Sequence, residues 1–265
     1  VNPTGTPDCG NATWASGVRQ ITINATTFSP GVLTAGNQTL CNPGDPSNIT
    51  FSTAPTASST YQWYYQNGLI AAPAATAALT GWTSISGATT NAYDAPTGLT
   101  LNRTYACRVT NGANSQWASG VRQITVLPVF NPGTILSSDE TFCTTGNPSN
   151  ITLSSNPIGS GGYQWQWYFR ETTNGDCPSG SSIPTGWNTN TTSPNISGTT
   201  LTGAGISFDP TSAGALNSGR TFAVRITPIA NGAVPACGTS QWASSCRKTY
   251  VTTCTGFTPG VLASG

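Results

Sequence analysis

Apolar and polar residues alternate with a period of two in several short runs of the first half of the chain. In order, the runs cover residues 49–51, 61–65, 104–109 and 123–126. This period is typical of strands that bury one face. Asn111 and Gly112, between two such runs, are a hairpin signal. Residues 71–78 are rich in alanine but contain Pro73, so we expect a loop there. The pattern predicts an all-β fold.

The second half of the chain repeats the order of these segments. Residues 148–152 match 46–50, residues 163–165 match 61–63, and residues 220–225 match 103–108. Trp165 is thereby matched to Trp63, and we predict that both indoles are buried between two sheets. The extra length of the second half falls in residues 171–184 and 230–236.

A longer motif indicates that the two halves belong to a repeat array. Residues 115–126 recur nearly unchanged at 13–23 and in degraded form at 240–251, and a Phe-x-Pro-Gly signature follows the copies at Phe28, Phe130 and Phe257. Repetition at this spacing is more typical of a rod or fibre than of an enzyme. The expected units are two β-sandwich domains at 28–127 and 128–254, a terminal strand of a preceding repeat or an intersubunit arm at 1–27, and the start of a next repeat or a C-terminal arm at 255–265.

The composition is that of a folded, nearly neutral β protein. Charged residues make up 6% of the chain, and the formal net charge is +1. So little charge leaves no electrostatic footprint for nucleic acid or anionic lipid, and neither partner is expected. The sequence has no apolar run of the length that spans a bilayer, so we expect no membrane insertion.

The residue types that carry most protein chemistry are scarce. Histidine is absent, which removes the usual general base of nucleophilic catalysis. Asp139 and Glu140 are the one adjacent acidic pair, and we expect them in a solvated loop. Zinc is disfavoured because the cysteines lack the Cys-x-x-Cys spacing of known sites. We predict no enzymatic activity, no catalytic residue, no metal site and no cofactor.

The cysteine content indicates where the protein works. Eight cysteines without redox or metal spacing favour an extracellular or cell-surface location. Sequons of the Asn-x-Ser/Thr type add potential glycosylation sites, whose glycans would supply solvation that the missing charges do not. They lie at Asn11, Asn24, Asn37, Asn48, Asn102, Asn150, Asn190 and Asn195.

Four residues of the first unit, Cys41, Trp63, Tyr105 and Cys107, follow one another in the order of an immunoglobulin-like (Ig-like) sandwich. In that fold a buried tryptophan packs beside an inter-sheet disulfide. With residues 85–88, Tyr93, Leu99 and the strand at 121–126, the pattern resembles more closely the tandem Ig-like repeats of very large bacterial surface adhesins and gliding-filament proteins. The resemblance covers nearly the full chain and implies an extracellular surface protein without a fixed ligand.

The repeat units indicate two disulfides. Cys41 and Cys107 are the only cysteines of the first unit and are its natural pair, although Cys41 precedes the strand at 46–50, which would put the bond at the end of the domain. In the second unit the resemblance implies that Cys143 pairs with Cys237, because similar repeats carry their second cysteine just before the last strand. Cys9 matches the position of Cys237, so its partner would belong to the preceding unit. The remaining cysteines stay unassigned, an intersubunit bond among them included: Cys177, Cys246 and Cys254.

Two functional hypotheses compete. The leading one is a structural subunit of an extracellular filament or adhesive fibre, assembled from copies of itself, as a homopolymer or tandem array, by strand addition through its terminal strands. The predicted assembly residues are Cys9, Trp14, Val18, Ile21 and Ile23. The alternative is a carbohydrate- or protein-binding module of a surface adhesin, with the loop at 171–184 or an aromatic platform as its contact surface. The platform candidates are Tyr64, Tyr65, Trp82 and Trp187, although recurring aromatic residues in sandwiches are more often core or cross-strand pairs.

Overall fold

The computed structural model describes Gly17 and residues 27–143, 147–189, 206–213 and 216–254. Their secondary structure is almost entirely β, with one 3-10 turn at Pro210–Ala213. The strands are β1 (Val32–Leu33), β2 (Gln38–Leu40), β3 (Phe51–Thr53), β4 (Thr60–Asn67), β5 (Thr83–Ser84), β6 (Arg103–Asn111), β7 (Asn114–Trp117), β8 (Arg122–Val126), β9 (Thr134–Ile135), β10 (Glu140–Cys143), β11 (Leu153–Ser155), β12 (Gly162–Arg170), β13 (Asn188–Thr189), β14 (Arg220–Ile229), β15 (Gln241–Trp242) and β16 (Arg247–Thr252). No helix of the described part has the length and apolar character needed to cross a membrane.

Strands β1 to β8 form a two-sheet sandwich, which we call domain 1. Its large sheet has the order β2-β8-β6-β4-β5, with β7 also paired to β6, and its small sheet contains β1 and β3. A bridge between Ile49 and Tyr93 extends the small sheet. The predicted hairpin is confirmed, because β6 pairs with β7 through Asn111 and Asn114, and Gly112 in the turn has a positive φ of 58°.

Strands β9 to β16 repeat this topology, and we call them domain 2. The large sheet has the order β10-β16-β14-β12-β13, with β15 also paired to β14, and the small sheet contains β9 and β11. A bridge between Ile151 and Phe208 corresponds to the bridge between Ile49 and Tyr93. The strand pairing therefore confirms the expected all-β fold of two tandem Ig-like sandwiches.

Each sandwich has its own aromatic core. Trp63 is fully buried, stacks on Tyr93 with ring centroids 5.7 Å apart, and donates its indole N–H to the carbonyl of Thr90 at 2.9 Å. Its β6 neighbour is Cys107. In domain 2 the neighbour of Val224 is Trp167, which stacks on Phe208 at 5.2 Å.

The second core tryptophan requires a correction of the sequence match. Trp165 is buried, as predicted, with 3% of its surface exposed. However, Trp167, not Trp165, stands where Trp63 stands in domain 1, which follows from their equivalent partners on the neighbouring strand. A shift of two residues along a strand leaves the same face toward the core, so the alternation of residues could not distinguish the two matches.

A second apolar layer covers the outer face of each large sheet. In domain 1 it consists of Tyr64, Trp82 and Trp117 beneath a loop at residues 69–81, which we call strap 1. Trp117 donates its indole N–H to the carbonyl of Ala77 at 3.0 Å and its backbone N–H to that of Ala75 at 2.8 Å. The strap therefore satisfies polar groups that the outer layer would otherwise bury unpaired.

The loop at residues 171–187, which we call strap 2, does the same in domain 2. Trp242 donates its indole N–H to the carbonyl of Ser182 at 2.8 Å. Arg225 donates to the carbonyl of Ser181 at 2.6 Å. Strap 2 thus contains the whole predicted 171–184 loop and holds it against the sheet.

Candidate functional site at the junction of the domains

The structure contains three disulfides, and their partners differ from the predicted ones. Among the described residues, the bonds are Cys41–Cys237, Cys143–Cys254 and Cys177–Cys246. The predicted pairs Cys41–Cys107 and Cys143–Cys237 are therefore wrong. Cys41–Cys237, which we call the junction disulfide, connects domain 1 to domain 2 across 196 residues of sequence.

The position of Cys107 explains why it does not pair with Cys41. Cys107 lies in the middle of β6 with no exposed surface and has a free thiol. Burial raises the pKa of this thiol to about 12, although a backbone hydrogen bond opposes the shift. Cys41 lies beyond the end of β2, at the edge of the domain. Cys107 in the core and Cys41 at the domain edge are therefore not in contact, and Cys107 acts as a small apolar residue.

The pairing of β2 with β8 places Cys41 where the chain leaves domain 1. The two strands are parallel, with Leu40 beside Val126 in the register. The backbone N–H of Leu127 donates to the carbonyl of Leu40 at 2.9 Å. Cys41 therefore lies beside the linker that begins at Pro128.

The linker packs onto domain 2 in such a way that Cys237 faces this exit. Phe130 is 8% exposed and stacks on Tyr163 with ring centroids 6.2 Å apart. Gly159 lies so close that an added Cβ would be 2.5 Å from the carbonyl oxygen of Pro128. Cys237 itself is 3% exposed, and its backbone N–H donates to the hydroxyl of Ser160 at 3.3 Å. Its Cα lies 5.4 Å from that of Cys41, a normal disulfide separation.

Cys143 occupies the equivalent exit position of domain 2. It ends β10, which runs parallel to β16 with Cys143 beside Thr252. Its partner is Cys254, in the segment that leaves the domain. The register of β8 and β16 makes Val129 the equivalent of Cys254. Because domain 1 has valine there, Cys41 has no partner in its own exit segment and is bonded to the next domain instead.

The third disulfide fastens strap 2. Cys177 lies in the strap, and Cys246 precedes β16. The corresponding outer layer of domain 1 contains Ala77 and Val121. The sequence carried a signal for this bond, since Cys246 replaces Val121 in the degraded copy of the repeat motif and Cys177 lies in the insertion. Both cysteines had remained unassigned.

The predicted solvated loop is correct for Asp139, which is exposed before β10, but not for Glu140, which begins β10 and is half-buried. Glu140 forms an ion pair with Arg247, whose side chain is only 2% exposed. Ser149 donates to Glu140 from its backbone N–H at 3.0 Å and also from its hydroxyl, and Arg247 donates to the same hydroxyl at 2.9 Å. Asp139 accepts the backbone N–H of Lys248 at 2.8 Å. Both carboxylates therefore fasten the β10 edge to β16.

The electrostatics of Glu140 follow from this arrangement. Desolvation raises the pKa of Glu140, but the hydrogen bonds from Ser149 and the charge of Arg247 outweigh it and hold that pKa below its usual range. In domain 1 the carboxylate is replaced by Gln38. Arg122 there donates to the hydroxyl of Ser47 at 3.0 Å, and burial lowers the pKa of Arg122.

Several residues singled out from the sequence have other positions. The assembly residues Cys9, Trp14, Val18, Ile21 and Ile23 lie outside the described residues, as do the sequon residues Asn11, Asn24, Asn190 and Asn195. The other sequon residues are exposed, at Asn37, Asn48 and Asn150, or half-buried, at Asn102. Within the described ranges, no group of three His, Cys, Asp or Glu residues is arranged to hold a metal ion.

The four aromatic residues proposed as a platform are spread over two domains and are covered. Tyr64 and Trp187 are each only 9% exposed. Tyr65 lies under the guanidinium of Arg103 at 4.6 Å, and Trp82 packs in the layer under strap 1. These residues serve packing and cation–π contacts.

Known sequences give little further indication of what this junction does. Residues 29–128 match the model of a family described as a domain of unknown function, DUF8696. The match covers domain 1 and the first residue of the linker. No curated protein matches the chain.

Three solved structures with low similarity to the chain come from tandem-domain or surface proteins. The FN1-FN3 domains of chicken CNTN1 have 10% identity and a TM-score of 0.36 over 85% of this chain, which spans 66% of theirs. The fibronectin(III)-like modules of Clostridium thermocellum CbhA have 12% identity and a TM-score of 0.25 over 86% of this chain and 94% of theirs. A SusE-like surface located polysaccharide binding protein from Bacteroides thetaiotaomicron has 10% identity and a TM-score of 0.20 over 86% of this chain and 34% of its own. Values this low transfer neither ligand nor activity.

Proposed function

We propose that the protein is a structural segment of an extracellular filament or adhesive fibre. The observation that carries the proposal is the junction disulfide, because it bonds successive sandwiches covalently at the point where the chain passes between them. A bond at this position contributes to neither core and fixes one domain against the next. Three disulfides in the described residues also favour an oxidising compartment outside the cell.

Segments outside the two domains provide the means of continuing the array. Residues 13–23 match the β7–β8 region of domain 1, and residues 257–262 match its first segment, 28–33. In domain 1 these two regions pair directly: Leu33 donates to the carbonyl of Ser119 at 2.9 Å, and Ser119 donates to that of Gly31 at 3.0 Å. We infer that the matching end segments join neighbouring units, covalently preceding or in another copy, through the same backbone hydrogen bonds.

Both described sandwiches already contain the strands that the end segments resemble. Domain 1 has β1 and β8, and domain 2 has β9 and β16. An added copy of either strand therefore has no vacant place within its own chain. A contact made instead with another unit is heterologous and propagates, which favours a fibre over a closed dimer.

Removal of residues 1–24 tests the proposal. We expect both domains to remain folded, with unchanged hydrogen exchange in β4 and β12, while filaments disappear from electron micrographs. Removal of residues 1–8, which precede the repeat match, is the matched control and should leave filaments intact. Normal filaments after the longer deletion, or an intact chain that stays monomeric in sedimentation at high concentration, would contradict the proposal.

A further inference from the structure

We propose that the disulfides carry mechanical force past both domain cores, so that the oxidised chain is a nearly inextensible tether. The inference goes beyond a role in filaments, because it rests on the connectivity of the bonds and holds for a single molecule. The junction disulfide thereby has a mechanical function, which is to bear the load between the two ends of the chain. Its basis is the order in which the bonded cysteines follow one another along the chain.

The junction disulfide closes residues 42–236 into a covalent loop. A force applied before residue 27 and after residue 254 passes along residues 27–41, across the two sulfur atoms, and along residues 237–254. Residues inside the loop carry no tension while the bond is intact. The cores around Trp63 and Trp167 belong to this loop, so neither β4 nor β12 is pulled.

The strands that remain on the path of the force are few. They are β1, β2, β15 and β16. Hydrogen bonds of these short strands each contribute only about 1 kcal/mol, whereas the bypass is a covalent bond. If these strands detach completely, the path between residues 27 and 254 lengthens to no more than about 110 Å at ~3.4 Å per residue.

A second disulfide shortens the path of the force only when the junction disulfide is broken. Cys143–Cys254 closes residues 144–253 into a loop of its own. If the junction disulfide is broken, this bond still removes β11 to β16 from the path, and only domain 1, the linker and the segment with β9 and β10 can extend. The two loops overlap, so the loss of Cys143–Cys254 alone changes nothing while the junction disulfide is intact. The arrangement predicts a strongly non-additive response to removing the two bonds.

Cys177–Cys246 provides a matched control within the same chain. It closes a loop between strap 2 and β16. The shortest covalent path through the oxidised protein does not use it. Its removal is therefore expected to weaken strap 2 without changing how far the chain can be stretched.

The experiment is single-molecule stretching of the full chain, held at both termini through cysteine-free tags, after peptide mapping has shown the disulfides of each sample. Complete reduction should lengthen the maximum extension of the natural chain by about 670 Å, the span of the 196 residues between Cys41 and Cys237. Cys41→Ser/Cys237→Ser should lengthen it by about 290 Å, because Cys143–Cys254 still shortens the path by 111 residues instead of 196. Cys143→Ser/Cys254→Ser and Cys177→Ser/Cys246→Ser should each leave it unchanged.

The readout depends on covalent connectivity, so a variant that folds poorly still reports its path length. Domain-sized extension steps in the oxidised natural chain would overturn the proposal. So would equal extensions of the natural chain and Cys41→Ser/Cys237→Ser. Normal filaments in the deletion experiment would overturn the proposed function but leave these lengths untouched, and the two proposals therefore fail independently.

Discussion

Domains 1 and 2 share one topology but stabilise equivalent positions with different interactions. The straps show the contrast most clearly. In domain 1, Ala77 and Val121 pack beside Trp117 in the outer layer. In domain 2, Cys246 stands where domain 1 has Val121, and a disulfide joins it to Cys177 of strap 2.

The buried arginines show the same contrast. Among the described residues, no carboxylate forms an ion pair with Arg122. Arg122 donates a hydrogen bond to the hydroxyl of Ser47, which also accepts one from Gln38. Arg247 has the same serine contact together with an ion pair to Glu140. The two domains thus use the same positions but different interactions. Domain 2 has a disulfide and an ion pair where domain 1 has apolar packing and hydrogen bonds.

The largest expected effect comes from removing the disulfide that fastens strap 2. Cys177→Ala/Cys246→Val places the residue of domain 1, Val121, at position 246 and removes a loop closure of 69 residues. We expect a loss of about 4 kcal/mol in the free energy of unfolding of domain 2, as the chain-entropy model gives for this loop. Hydrogen exchange in β12 measures it, with β4 as the internal control. A loss below about 1 kcal/mol would show that the apolar contact is equivalent to the bond.

A smaller effect is expected from exchanging the residues beside the buried arginines. Glu140→Gln copies domain 1 into domain 2 and leaves Arg247 without its carboxylate, which should cost about 2 kcal/mol. Gln38→Glu gives Arg122 a carboxylate and should stabilise domain 1 by about 1 kcal/mol. Denaturant unfolding monitored by exchange in each domain checks both. If Gln38→Glu destabilises domain 1, the two arginine sites are not equivalent.

Acid should destabilise domain 2 more than domain 1. Hydrogen bonding from Arg220 lowers the pKa of Glu171, and Glu140 has a lowered pKa as well. A carboxyl whose pKa falls on folding stabilises the protein above its unfolded pKa of about 4.3 and loses that contribution as the pH falls through the folded value. Both described ion pairs lie in domain 2. Protection from exchange, relative to the intrinsic rate at each pH, should therefore fall more in β12 than in β4 between pH 5 and pH 2, and Glu140→Gln/Glu171→Gln should reduce the difference.

The smallest effect is expected at Cys107. The structure places it where domain 2 has Val224, fully buried. Cys107→Val is nearly isosteric and should change the stability of domain 1 by less than about 1 kcal/mol. Alkylation followed by mass spectrometry should label Cys107 only after unfolding, since burial raises the pKa of the thiol to about 12. A loss of several kcal/mol would mean that the thiol has a bonded partner.

The sequence was sufficient for the fold because the fold depends on local periodicity. Alternating residues in β4 and β6 predicted the strands, Asn111 and Gly112 predicted the hairpin, and the repeat predicted two sandwiches. The match of Trp165 to Trp63 failed by two residues, since both registers bury an indole. The alternation of residues predicts which face of a strand is buried, but it does not determine which residue of one domain is equivalent to a given residue of the other.

The junction could not be predicted in the same way. Cys41 and Cys237 are 196 residues apart, and no periodicity indicates that they meet. The repeat predicts a partner for Cys41 within its own unit, whereas the position of β2 beside β8 puts Cys41 at the domain exit. Two signals were present: Cys41 precedes its strand, and Val129 stands where domain 2 has Cys254. Only the three-dimensional pairing of terminal strands connects them.

Peptide mapping of the oxidised protein tests the central claim most directly. Cleavage after arginine and lysine puts Cys41 in peptide 20–103, Cys107 alone in peptide 104–108, and Cys237 in peptide 226–247. Further cleavage after tryptophan separates Cys237 from Cys246 and shortens the Cys41 peptide to residues 20–63. The structure predicts a disulfide-linked species of peptides 20–63 and 226–242, with peptide 104–108 recovered as a free thiol. Linkage of peptide 20–63 to peptide 104–108 would contradict the junction disulfide and the tether built on it.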